Sequence, residues 1–232
     1  MTFISRRDLL KRAAAVGGVA IVPAGVVPRG DAAQAPAAVR AAVPREPLEN
    51  LTAAEADILE AFVARLIPTD ANGPGATEAR AAHYIDRALG GALLASRQAY
   101  TAGLAALDRY ARASRGKAFT ELSGPEQDAL LTEVESGTAT GFTGSSAAFF
   151  SLVLNHTLQG TFGDPYYGGN AGFVGWDLVG YPGVRTMVTA SEQQQLEKHT
   201  LKPARKSAYD HDAFTKASAR NLPRRGPREE GA

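Results

Sequence analysis

Cysteine is absent from all 232 residues. That absence removes disulfides, thiol nucleophiles, zinc–thiolate sites, iron–sulfur clusters and covalent haem attachment in this chain. Stability must therefore come from packing alone. Histidine is scarce as well. His83, His156, His199 and His211 stand far apart, and no His-Glu-x-x-His or His-x-His occurs to gather a metal ion. Gly169, Gly172 and Gly175 lack the Gly-x-Gly-x-x-Gly spacing and follow no strand, so a dinucleotide loop is excluded. No alternating apolar–polar run of convincing length appears, which removes sheet architectures and leaves an all-α class.

What is present is an ordinary globular composition, 44% hydrophobic, in a length typical of one domain with tails. The formal charge of +1 hides an uneven distribution. Residues 1–35 carry five basic and two acidic side chains, residues 36–190 carry 11 and 16, and residues 191–232 carry nine and six. A body with a net charge of −5 is unsuited to nucleic acid, whose binding rests on neutralising phosphates.

The amino terminus reads as an export signal. Ser5-Arg6-Arg7-Asp8-Leu9-Leu10-Lys11 matches the twin-arginine pattern, with Arg6 and Arg7 as its core, and a modest apolar run, 13–27, follows. That run is short of the roughly 20 residues of a membrane span. Ala32, Ala33 and Ala35 offer small-residue cleavage points, so residues 1–35 are assigned to the signal. The expected location is the periplasm, or the periplasmic face of the cytoplasmic membrane, reached through the twin-arginine translocase. Residues 36–50, rich in proline and alanine, read as a linker. A helical body is expected over 51–190. From 191 to 232 the apolar content collapses, which predicts a charged, largely disordered tail with room for a short helix near 191–200.

Within the body the helical signals are strong. Thr52-Ala53-Ala54-Glu55 is a capping box, followed by Ile58, Leu59, Phe62, Val63, Leu66 and Ile67 at helical spacing, and Pro68 ends the run. The loop 69–76, with Asp70 as its one charge, reads as a turn rather than a cation site. Further helices are expected over about 77–89, about 93–114, and from the capping box Ser123–Glu126 to Gly137. A nearly all-apolar helix, 145–158, should be the central one and should deliver His156 into the loop that follows. The sum is a single irregular bundle of about five helices.

That loop, residues 155–183, concentrates glycine, aromatic and carboxylate residues as nowhere else. Glycines stand at 160, 163, 168, 169, 172, 175, 180 and 183, and the one tryptophan, Trp176, lies among Phe162, Tyr166, Tyr167, Phe173 and Tyr181. Glycine permits tight turns and close approach, and aromatics supply contact area at low entropy cost. The stretch is therefore either a packed lid or a surface for a partner. The candidate partner interface is His156, Phe162, Asp164, Tyr166, Tyr167, Asn170, Phe173, Trp176 and Tyr181. His156 with Asp164 or Asp177 is the one acid–base set available, since an imidazole beside carboxylates can move protons near neutral pH.

The same residues carry a family resemblance. His156-Thr-Leu-x-Gly-x-Phe-Gly-Asp-Pro-x-Tyr-Gly-Gly-Asn170, then Phe173-x-Gly-Trp176, then Gly180-Tyr-Pro-Gly183 resembles the small, third subunit of membrane-bound gluconate 2-dehydrogenase, and the segments 51–68 and 84–86 are similar to it too. The resemblance implies a non-catalytic partner of a large FAD-dependent flavoprotein of the glucose–methanol–choline type. It also implies a c-type cytochrome, with haem c, as an optional third subunit, and a sugar or sugar acid such as gluconate as the substrate of the complex. This chain would hold no cofactor itself and would escort the folded flavoprotein through the twin-arginine pore. Two other readings stay open on the residues alone: an independent periplasmic enzyme built on His156, and a transient assembly chaperone.

Overall fold

Thr52 and Glu55 satisfy each other's backbone amides at the start of helix α1 (Ala53–Leu66), with Thr52 N–H donating to Glu55 Oε2 at 2.9 Å and Glu55 N–H to Thr52 Oγ1 at 3.3 Å. The cap fixes the first turn, and Ala56, Leu59, Phe62 and Val63 then fall on one buried stripe. The structure, a computed structural model, describes residues 48–185 and 187–211. Among these, α1 is followed by α2 (Ala81–Leu89), α3 (Arg97–Arg115), α4 (Gly124–Glu135), α5 (Ser146–Phe162), α6 (Val174–Leu178) and α7 (Ala190–Glu197), with short 3-10 turns in some of the connections and after α7, and with no strand. The all-α expectation holds. The two helices beyond the expected five are the short ones, α6 inside the glycine-rich loop and α7 in the expected tail.

Phe62 sits at the middle of the core. Its ring lies 6.4 Å from that of Phe119, 6.2 Å from Phe149 and 5.8 Å from Phe150, so side chains from α1, α5 and the turn before α4 meet there. Tyr100, Leu104 and Leu107 of α3 and Ile85 and Leu89 of α2 complete the same cluster. Helix α5 packs most extensively against α2 and α4. It is not buried all round: Leu158 is 41% exposed. An apolar side chain on a solvent face does not mark burial, which is why composition overstated how fully this central helix is buried.

Three element boundaries differ from the sequence pattern. Helix α2 begins at Ala81 rather than near 77, because the chain first folds back on the end of α1 (Ala76 N–H donates to Ile67 O at 2.8 Å) and Arg80 adopts a left-handed φ of 58°. Leu94–Ser96 forms a 3-10 turn ahead of α3. Helix α5 continues past the expected end at Leu158 to Phe162, so His156 lies more than a turn inside the helix rather than at its entry into the loop. In the loop 69–76, Asp70 Oδ1 accepts from Asn72 N–H at 2.7 Å, an aspartate-stabilised turn.

Where the expected linker meets the body, Asp86 is fully buried, and its carboxylate accepts backbone N–H groups from Glu49 (2.7 Å), Asn50 (3.0 Å) and Leu51 (2.7 Å). Three donors compensate a carboxylate withdrawn from water and pin residues 49–51 to α2. The expected signal, most of the linker and the tail beyond His211 lie outside the described residues. Within residues 191–211, α7 occupies the place left open for a short helix near 191–200, and residues 204–211, expected to be disordered, lie against the 155–183 loop. Among the described residues no helix is long and apolar enough to cross a membrane.

Candidate functional site

The last carbonyls of an α-helix have no partner within the helix. At the end of α5 the loop supplies those partners. Gly160 O accepts from Asn170 N–H at 2.6 Å, Phe162 O from Trp176 Nε1–H at 2.9 Å, and Gly163 O from Asn170 Nδ2 at 2.9 Å. The other side of the Asn170 amide, Oδ1, accepts from Gly175 N–H at 2.8 Å, at the start of α6. A single fully buried asparagine thus ties the end of one helix to the beginning of the next. Its φ of 43° is left-handed, which asparagine tolerates better than most residues.

Two glycines make this approach possible. A Cβ on Gly169 would stand 2.1 Å from Gly160 O, and one on Gly175 would stand 1.8 Å from Thr161 O. Neither position has room for a side chain. Trp176, 6% exposed, then carries Phe173 on one side (centroids 5.3 Å) and Tyr181 on another (4.9 Å). Phe173 itself has a φ of 64°, a strained conformation for a bulky residue that persists only where its surroundings hold it.

The candidate residues therefore separate by burial into three groups. Asn170, Trp176 and His156 are buried and face inward, so they support the loop rather than present a surface. Phe162 and Phe173 are half-buried. Tyr166 (43% exposed), Tyr167 (49%) and Tyr181 (38%) face solvent.

The acid–base set is not assembled. His156 Nδ1 lies 3.0 Å from the Tyr100 hydroxyl, and the two rings stack with centroids 5.8 Å apart. Burial pushes the His156 imidazole below its ordinary pKa and the Tyr100 phenol above its own, so both stay neutral near pH 7. Asp164 instead accepts from Tyr166 N–H (2.9 Å), Ser207 Oγ (2.6 Å) and Ala208 N–H (2.7 Å). Asp177 pairs with Arg205. Each member of the set is committed to a different partner. Among the described residues no group of three or more His, Asp or Glu stands close enough to hold a metal ion.

Sequence reasoning missed the strap formed by residues 204–211. Ala204 N–H donates to Pro182 O at 2.9 Å, and Tyr209 packs on Tyr166 with centroids 4.0 Å apart. The Tyr209 hydroxyl meets that of Tyr167 at 2.6 Å, and this hydrogen bond is the leading cause that raises the Tyr209 phenol above its usual pKa. His211 Nε2 lies 3.2 Å from Val184 O. One signal was legible: Ser207-Ala-Tyr-Asp210 is a capping box, with Ser207 N–H donating to Asp210 Oδ2 at 2.8 Å and Tyr209 N–H to Ser207 Oγ at 3.1 Å.

The class defined by this fold is a small all-helical protein whose central helix ends in a glycine-built, aromatic-faced cap. The cap lies inside the stretch 53–183, which matches the family described as Gluconate 2-dehydrogenase subunit 3, and the chain belongs to that family. No curated protein and no solved structure matches the chain.

Proposed function

We propose that this chain is the non-catalytic small subunit of an FAD-dependent dehydrogenase complex that oxidises a sugar or sugar acid such as gluconate. Its role is to bind and stabilise a large flavoprotein of the glucose–methanol–choline type and to escort it through the twin-arginine pathway to the periplasm. FAD belongs, on this reading, to the large subunit, and haem c to a c-type cytochrome where one is present. The observation that carries the reading is the family match over residues 53–183. The geometry supports it in one respect: the loop's inner residues are spent on capping α5, while Tyr166, Tyr167 and Tyr181 stay on the surface. Independent catalysis by His156 finds no support in the separate commitments of His156, Asp164 and Asp177.

The test is purification of the tagged full-length chain from the periplasmic fraction of cells that also express a large FAD-dependent flavoprotein of the glucose–methanol–choline type. The expected result is a stoichiometric complex with a flavin spectrum that reduces a dye acceptor with gluconate, while the chain alone turns over nothing. Turnover by the chain alone, or its recovery without a flavoprotein, overturns the reading. For the escort role, Arg6→Lys with Arg7→Lys should leave both proteins in the cytoplasm. A flavoprotein that still reaches the periplasm refutes it.

A further inference from the structure

The outer side of α2 and the turn 165–168 enclose an open notch of about 510 Å³. Tyr84, Tyr166 and Tyr167 give it ring surface, and Ala88, Gly91 and Ala92 give it small-residue surface. Arg87 is the one cation in its lining. Arg87 runs along Gly168, where an added Cβ would lie 3.5 Å from both its Cδ and its Nη1.

Two of the three hydroxyls are already engaged: Tyr84 Oη donates to Gln159 Oε1 at 3.0 Å, and Tyr167 Oη meets Tyr209 Oη. What those two tyrosines offer a visitor is ring face. Arg87 is in the opposite condition. Arg65, Arg97, Arg112, Arg115, Arg185 and Arg205 each pair with a carboxylate of this chain. Among the described residues no carboxylate pairs with Arg87. The notch thus combines one unused guanidinium with apolar ring walls, and tyrosine with arginine is the composition that carries binding energy at protein interfaces. The walls are also set in advance. Tyr166 is held between Tyr209 (4.0 Å) and Tyr167 (5.3 Å, edge to face), which cuts the entropy lost on binding.

We propose that this notch is where an acidic segment of the large flavoprotein docks, with an aspartate or glutamate of that segment pairing with Arg87 and a neighbouring apolar side chain lying against Tyr84 and Tyr166. The inference rests on the proposed function and adds to it the place and the chemistry of the contact. The strap is part of the site, because Tyr209 braces one of its walls.

The test uses the co-expressed full-length complex. A photo-crosslinking benzoylphenylalanine replaces Ala92 at the notch or, as a control, Ala113 on the exposed side of α3. Position 92 should crosslink to the flavoprotein through a peptide containing Asp or Glu, and position 113 should not. Arg87→Glu should weaken association by at least about tenfold, as expected for charge reversal in a close pair, with Arg87→Lys between it and the wild type. Tyr209→Ala should weaken association as well. Far-UV circular dichroism of the variants should be unchanged, which separates lost docking from lost folding. If the wild type recovers the flavoprotein but Arg87→Glu binds equally well, or position 92 crosslinks to nothing or to a second copy of this chain, the notch is refuted and the subunit role stands. If the wild type recovers no flavoprotein, both fall together.

Discussion

Asn170→Ala should be one of the most damaging single changes available in the loop. The substitution deletes two side-chain hydrogen bonds in a fully buried setting, leaving Gly175 N–H without an acceptor and Gly163 O without its donor. An orphaned buried donor costs ~1–3 kcal/mol and a half-buried carbonyl ~1 kcal/mol. Holding alanine at a left-handed φ adds ~1 kcal/mol that glycine would not incur. The sum is ~3–5 kcal/mol, a large share of the ~5–15 kcal/mol that stabilises an ordinary domain. With a urea slope of ~2 kcal/mol per molar, the midpoint should fall by roughly 2 M. Trp176 is the one tryptophan of the chain and donates to Phe162 O beside this junction, so its fluorescence reports the loop while far-UV circular dichroism reports the helices. Asn170→Gly should recover ~1 kcal/mol of the loss, because it keeps the backbone relaxed while losing the same two bonds. A loss below ~1 kcal/mol for Asn170→Ala would refute the capping argument, since that is less than one orphaned buried donor should cost. Equal losses for the two variants would refute the strain argument.

Asp86→Ala should destabilise the body by ~3 kcal/mol or more, read as a urea midpoint, because three backbone amides lose a charged acceptor at once. Unchanged stability would mean that residues 49–51 are not held to α2. The buried His156 gives a pH prediction of definite sign. Its folded pKa lies below the ordinary value, so between the two values the unfolded chain binds the extra proton, and stability falls as pH drops below ~6.5. His156→Gln, which cannot titrate, should flatten that slope in unfolding curves taken from pH 7.5 to 5. The same slope in both proteins would show that His156 is not the group responsible.

The helical body was legible wherever a local rule set the outcome. The capping boxes at Thr52 and Ser123 placed the starts of α1 and α4, and Gly116 ends α3 with a left-handed φ of 74°. Boundaries failed where a distant contact overrode the local pattern. The return of Ala76 to Ile67 O delays α2, and Gly160 did not stop α5, which runs on to Phe162 because the loop satisfies its terminal carbonyls. Asp86 and Tyr209 were invisible for the same reason. Each acts on a segment 35 or more residues away in the chain, and nothing in the neighbouring sequence marks that partner.

The composition of residues 155–183 left two uses open, a lid on the domain or a surface for another protein, and the structure divides them residue by residue. Glycine is needed at 169 and 175 because the loop backbone lies against the carbonyls of α5, and Asn170 and Trp176 are needed to bond those carbonyls. None of these four can also reach a partner. The tyrosines follow the opposite logic: Tyr166 and Tyr167 contribute nothing to the helix end, and they are braced from outside by Tyr209 of the strap. That strap begins beyond Gly183, where the family match ends. The part of the loop that caps α5 therefore lies wholly within the family's shared segment, whereas the orientation of its exposed rings depends on residues this chain supplies from outside it. A truncation after Thr200 should separate the two. It should leave the Trp176 environment and the helices in place while releasing Tyr166 and Tyr167, so a Trp176 emission shifted to that of the unfolded chain would show that cap and surface are one unit after all.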